Sequence, residues 1–350
     1  MSRFDDLQRL FDQGKYFKLV CGAGNENAEE VKRLAVIYTL AGAKGFDVSA
    51  TVPVVKACME GIDFAFGMAK EFGVALSLRP FIMVSVGMPG DHHVRKASIS
   101  PEKCIKCRLC VAVCPTGAIK NPPDLTRAMC IGCGNCSAIC PVAAISFEHN
   151  RKELSEILPK CLEAGAENIE LHAAVADDAS IMEEWAIVNQ ACPNNHVSMC
   201  LDRLHLSNFA LEARVKKAKD VAGKRLVIQA DGYPMSGGRD DYNTTLQAVA
   251  TADIVNKRFN MQLSRQSKKL EYKGKQEVNI LLSGGTNSLT GVLARQSGVN
   301  FQGVSIGTFG RNLVKDALAS PDFYSNKETI RKAYLAAKKL VVENVGEINE

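Results

Sequence analysis

No stretch of the chain stays apolar for the roughly 20 residues that a membrane-spanning helix needs, so no integral membrane protein is expected. The first 18 residues carry Asp5, Asp6 and Asp12 and lack an apolar core. That pattern fits neither a secretory leader nor an Arg/Ser-rich transit peptide, and a cytoplasmic protein is expected. Charge of one sign is also scarce: 43 Lys and Arg against 38 Asp and Glu leave +5. Such a balance gives no basis for a nucleic-acid partner. Disorder is excluded by 46% apolar and 23% charged residues, an ordinary globular composition. The 350 residues suit two domains or one large barrel with an insertion.

Cysteine, by contrast, is abundant. Eight of the 13 cysteines fall between Cys104 and Cys140, and in a reducing compartment such a cluster points to metal binding before disulfides. One run places Cys104, Cys107, Cys110 and Cys114 before Pro115; a second places Cys130, Cys133, Cys136 and Cys140 before Pro141. Both have the C-x₂-C-x₂-C-x₃-C-P spacing of bacterial two-cluster ferredoxins. Three thiolates two residues apart can wrap three corners of an iron–sulfur cube. The fourth ligand then comes from the other run, tying two 4Fe–4S clusters together crosswise. This assigns one cluster to Cys104, Cys107, Cys110 and Cys140, and the other to Cys130, Cys133, Cys136 and Cys114. The repeat continues past the ligands, since Pro115-Thr116-Gly117-Ala118-Ile119 matches Pro141-Val142-Ala143-Ala144-Ile145. Paired zinc sites would need only C-x₂-C units, which leaves the duplicated quartets and prolines unexplained. A 3Fe–4S variant is not expected, because none of the eight cysteines is replaced. The module carries Lys103, Lys106, Arg108, Lys120 and Arg127 against Glu102 and Asp124, a surplus of +3. This surplus suits an acidic electron donor such as a ferredoxin, and it favours the reduced clusters.

Outside the module, short apolar runs alternate with helical patterns. Strands are expected at 18–23, 45–50, 81–86, 168–174, 197–201, 225–230, 278–282 and 303–306. Helical periodicity falls at 26–41, 53–72, 151–164, 180–191, 208–221, 241–256 and 287–296, with further helices to the end. Eight strands each followed by a helix imply parallel pairing and right-handed crossovers. A (β/α)₈ barrel interrupted by the ferredoxin-like module is therefore expected, with a doubly wound open sheet as the alternative. The expected division is 1–88 for the first part of the barrel, 89–147 for the insertion and 148–350 for the rest. Residues 257–275 also break the alternation, with seven Lys/Arg and only Glu271 opposing them. They read as a solvated loop or helix, or as a patch for an acidic partner.

Barrel chemistry gathers at the C-terminal strand ends. Those ends supply Cys21, Gly22 and Asn25; Gly87 with His92 and His93; His172; Asp202 and Arg203; and Asp231 followed by the loop 232–239. The last two loops hold Gly284, Gly285 and Thr286, and Gly307 with Arg311. Barrels commonly seat a phosphate on these loops, so they are candidates for FMN or another phosphate ligand. The competing reading is that the glycines only permit tight turns. His172 and Asp231 have the types needed for acid–base work. Cys21, Cys58, Cys161, Cys192 and Cys200 read as small buried residues, with Cys21 a candidate for exposure at the mouth. Trp185, the only tryptophan, is expected in the core.

The embedded cysteine runs, followed by Gln229-Ala230-Asp231-Gly232-Tyr233-Pro234-Met235-Ser236-Gly237 and Leu282-Ser283-Gly284-Gly285-Thr286-Asn287, resemble the cyanobacterial light-dependent-period iron–sulfur family over nearly the whole chain. The resemblance implies a protein that conveys redox state, and hence light intensity, to the circadian clock. It also implies association with clock-input components such as histidine-kinase-type sensors, and no established enzymatic activity. Two functions follow. One is a redox sensor exchanging electrons with a photosynthetic or quinone-linked pool. The other is an iron–sulfur oxidoreductase whose clusters feed a flavin or substrate at the barrel mouth. A plain electron carrier does not need a barrel of this size.

Overall fold

A computed structural model of the chain describes residues 2–88, 91, 95–149, 153–203, 206–232, 241–264, 267, 269–274, 276–284 and 286–346. Eight parallel strands close into a barrel: β1 (Tyr16–Val20), β2 (Gly45–Ser49), β3 (Phe81–Gly87), β6 (Asn168–His172), β7 (Val197–Leu201), β8 (Leu226–Asp231), β11 (Asn279–Ser283) and β12 (Gly303–Ile306). The ring closes where β1 pairs with β12 in parallel, Tyr16 opposite Gly303. Closure rules out the open sheet. The strands are buried almost throughout, as expected when helices cover a parallel sheet. The covering helices are α2 (Ala28–Leu40), α3 (Val52–Met68), α6 (Leu154–Glu163), α7 (Asp178–Ala191), α8 (Asn208–Ala222), α9 (Asp241–Val255) and α10 (Thr290–Gln296). The chain then runs through α11 (Thr308–Leu313) and α12 (Lys315–Leu318) into the long α13 (Lys327–Val345). Trp185 is fully buried on α7, its Nε1 donating to the Ala218 carbonyl at 3.1 Å.

Sequence periodicity did not anticipate the first helix, α1 (Arg3–Asp12). Ser2 and Asp5 form a reciprocal capping box at its start, which satisfies two otherwise orphaned donors. Its Leu7, Leu10 and Phe11 pack on Tyr16, Phe81, Val227 and Leu281, near the N-terminal ends of four barrel strands. The helix plugs the bottom of the barrel. Beside it, an added Cβ at Gly45 would collide with the Tyr16 ring, so that ring requires glycine there.

The ferredoxin-like segment leaves the barrel after β3 and returns before α6. Its ends pair as an antiparallel ribbon, β4 (Arg95–Ile99) with β5 (Ile145–His149), Ser98 opposite Ser146. Between them lie two five-residue helices, α4 (Leu109–Val113) and α5 (Asn135–Ile139). The segment has an apolar core of its own, with Ala97, Ile99, Ala118 and Ile119 packed among cysteines and outside the main core. The other break in the alternation, expected as a loop or helix, continues α9 as a helical turn over Asn256–Asn260 and then forms the exposed hairpin of β9 (Met261–Leu263) and β10 (Leu270–Tyr272). Three of its flanking cations are answered by acids outside the run: Lys257 by Asp253, Arg258 by Glu212 and Lys273 by Glu277.

Candidate metal centres and the barrel interior

The two cysteine runs fold as copies of each other. Left-handed backbone occurs at Gly132 and Gly134 in the second run, and at Lys106 and Arg108 in the first. Gly117 and Ala143 match in the same way after the two prolines. These turns swing the chain around each group of three sulfurs. The strain at Lys106, Arg108 and Ala143, where a side chain must accept positive φ, shows how strongly the surroundings impose the loop shape.

Each copy encloses a cavity. One, with about 320 Å³ of open space, is lined by Cys104, Cys107, Cys110 and Cys140 among Ile99, Leu109 and Ile145. The other, with about 330 Å³, is lined by Cys114, Cys130, Cys133 and Cys136 among Ala97, Ile119 and Phe147. Each cavity therefore takes three cysteines from one run and the fourth from the other. Backbone N–H groups point at sulfur, from Ala97 to the Cys130 Sγ at 3.4 Å and from Ala144 to the Cys140 Sγ at 3.3 Å. Four thiols, apolar walls and N–H donors fit an iron–sulfur cube in each cavity. Cys107 is the exposed member of the eight.

The module docks over the β1–α2 loop. The buried Lys96 donates its Nζ to the Cys130 carbonyl at 2.7 Å and also to the Gly24 carbonyl. The Glu26 N–H donates to the Ala128 carbonyl at 3.0 Å. The second run thus sits against the C-terminal end of β1. A groove with about 2110 Å³ of open space runs between them, bordered by Arg33, Cys114, Ile139, Arg311 and Lys315.

Inside the barrel is an ionic network that motif reading missed. Lys18 on β1 is fully buried. Its Nζ donates to Asp47 Oδ2 at 2.8 Å, Glu170 Oε2 at 2.7 Å and Gln229 Oε1 at 2.9 Å. Ser85 donates to Asp47 from β3. Above this layer, His172 Nε2 lies 3.0 Å from Glu170 Oε1, and the Cys200 thiol donates to Asp231 Oδ2 at 3.1 Å. Burial pushes the Asp47 carboxyl up to about 7, helped by the neighbouring Glu170. Burial also opposes the charge on Glu170, but Lys18 and His172 outweigh it and hold that carboxyl below the usual range. His172, despite burial, is raised to about 10 by Glu170 and then Asp91. The signal was present in the sequence: Lys18, Asp47, Glu170 and Gln229 each stand between two apolar residues inside the strands YFKLV, GFDVS, NIELH and LVIQAD.

The other candidates are placed differently from their motif reading. The Thr286 hydroxyl donates to the Ser305 carbonyl, and Arg311 donates to the Cys21 carbonyl at 3.2 Å. Gly284, at φ 62°, leaves the space that the Asp231 carboxylate occupies; Gly307 abuts Val20. These loops thus turn much of their polar capacity inward, although Arg311 also borders the groove. Cys21 is fully buried, not exposed at the mouth, because it continues the alternation of Phe17 and Leu19 into the main core beneath the covering helices. Cys58, Cys161, Cys192 and Cys200 are buried as expected. Asn25 and Asp202 are buried and Arg203 is exposed. Gly87 pairs with His172. His92, His93, Gly285 and residues 233–239 lie outside the described residues.

Parts of the chain are similar to known proteins. The 4Fe–4S binding domain family matches twice, at residues 97–120 and 125–146. Light dependent period A of Synechococcus elongatus is 31% identical over 239 residues, which is 68% of this chain and 66% of that protein. Among solved structures, the YdjI aldolase of Escherichia coli K12 aligns with a TM-score of 0.45 and 8% identity, covering 97% of this chain and 95% of the aldolase. A truncated 3-deoxy-D-arabino-heptulosonate 7-phosphate synthase of Thermotoga maritima aligns at 0.43 and 13%, covering 91% and 85%. Among the described residues no helix is long and apolar enough to cross a membrane. The two matched cysteine segments, their place inside a closed barrel and the extent of the curated likeness make the chain a light-dependent-period-A-like iron–sulfur protein.

Proposed function

We propose that the chain carries two 4Fe–4S clusters and serves as a redox sensor. One cluster is held by Cys104, Cys107, Cys110 and Cys140, the other by Cys130, Cys133, Cys136 and Cys114. The observation that carries this reading is the partition of the sulfurs: each cavity is lined by one crosswise quartet. The clusters supply one-electron storage; the protein supplies thiolates, a dry setting and a docking face. Beside the first cavity, Ile105, Leu109 and Val142 are exposed, and the exposed Lys103, Lys106 and Arg108 alternate in sequence with Ile105 and Leu109. Exposed apolar residues interleaved with positive charge suit an acidic electron donor such as a ferredoxin, with charge steering the encounter and apolar contact holding it. One added electron changes the local charge by a unit, worth about 1 kcal/mol at 4 Å in water and more where water is excluded. A partner interface placed there would feel the redox state. The likeness to a protein named for light dependence of period supports clock-input components as that partner and the cytoplasm as the setting.

The buried network at the strand ends favours a second reading, an iron–sulfur oxidoreductase. Acid extraction of protein purified without oxygen separates the two. A sensor should release about eight irons and eight sulfides per chain and no flavin. Stoichiometric FMN or another flavin would instead favour the oxidoreductase.

A further inference from the structure

The top of the barrel interior holds metal-ligating chemistry separate from the ferredoxin-like cysteines. Glu170 and His172 are two apart on β6 and so share its inner face, and Cys200 on β7 pairs with His172 in register. One donor atom from each, a carboxylate oxygen, an imidazole nitrogen and a thiol sulfur, lies within 4.8 Å of the others, and all three residues are buried. We propose that Glu170, His172 and Cys200 bind one divalent cation of the zinc or ferrous class inside the barrel.

Four features support the site. The mixed O, N and S donor set selects borderline ions over calcium or magnesium. Tetrahedral bonds of about 2.0–2.3 Å put donor atoms roughly 3.4–3.8 Å apart, within reach of small side-chain adjustments here. Among the described residues, the carboxyls of Glu170, Asp91 and Asp231 all lie close enough to His172 to act on its charge, so negative charge gathers around the donor atoms and favours a cation there. Outer contacts already aim the donors: Lys18 takes Glu170 Oε2 and leaves Oε1 toward His172, while Asp91 Oδ2 stands 3.9 Å behind His172 Nδ1. A carboxylate behind a ligating histidine is the usual outer partner. Asp231, beside the Cys200 Sγ, is placed to be a fourth donor; otherwise water completes the shell. Binding converts the thiol to thiolate and leaves His172 neutral, and both displaced protons pass to solvent.

The test uses cluster-loaded protein, handled without oxygen, incubated with zinc sulfate and freed of excess. Zinc and iron are then counted, and X-ray absorption is recorded at the zinc edge. The expected result is one zinc per chain with iron unchanged. Its shell should hold one sulfur at about 2.3 Å and the remainder nitrogen or oxygen at about 2.0–2.2 Å. Cys200→Ala and His172→Ala should each weaken zinc retention at least about tenfold, the least that a lost outer partner costs, while keeping their iron. The proposal is overturned if zinc shows four sulfur ligands as iron is lost, if both variants retain zinc like the unmodified protein, or if the unmodified protein retains none. Should a variant not fold, the zinc-edge spectrum of the unmodified protein decides alone.

Discussion

Replacing Cys140 with alanine should extinguish the cluster of the first cysteine run, although Cys140 belongs to the second. The crosswise lining of the two cavities requires this. Double variants make the assignment unambiguous, because two ligands of one cluster act as a unit and their losses do not add. Reduced unmodified protein should show about two 4Fe–4S spins per chain by EPR. Cys140→Ala alone and Cys104→Ala/Cys140→Ala should both show about one, and Cys130→Ala/Cys140→Ala none. If each run instead held its own cluster, the two double variants would exchange results. The barrel strands should survive in every case, since the module's apolar core is separate from the main one. Circular dichroism checks that point.

The second large effect concerns the barrel. Lys18→Met should cost about 3–5 kcal/mol, because it leaves Asp47 and Glu170 buried without their shared cation. For a chain this long the melting midpoint should fall by roughly 5–10 °C. The loss should also depend on pH. Asp47, already raised to about 7 with Lys18 in place, rises further without it, above an unfolded value near 4. Its protonated form then supports the fold below about pH 4, and that support fades as pH rises through the folded value. Lys18→Met should therefore be closer to the unmodified protein at pH 5 than at pH 8. Adding Glu170→Gln should recover part of the deficit by removing one stranded charge. An unchanged melting midpoint at pH 8 would show that the network does not hold the barrel.

The reasons some features were legible and others were not are physical. β7 and β12 occupy the predicted residues 197–201 and 303–306, because each is a short apolar run bounded by polar turns. α1 has local signals, the capping box of Ser2 and Asp5 and the helical spacing of Leu7, Leu10 and Phe11, but a strand–helix alternation offers no place for a helix before its first strand, and only its plugging of the barrel bottom gives it one. The ribbon of β4 and β5 was hidden in the same way, as its partners are far apart in sequence. The cysteine runs were fully legible, since covalent ligand spacing is itself a local property. Reading Gly284 as a phosphate turn overlooked another use of the missing side chain. The pattern showed that a side chain was missing, but the space belongs to Asp231. Lys18 and Glu170 could have been noticed as charges inside apolar strands. Only the closed ring shows that they meet.

Mössbauer spectroscopy of iron-enriched protein prepared without oxygen tests the central claim most directly. All of the iron, about eight atoms per chain, should appear as 4Fe–4S clusters that accept electrons on chemical reduction. Mononuclear iron in tetrahedral sulfur sites, or cysteines filled by zinc with no cluster signal, would contradict the account.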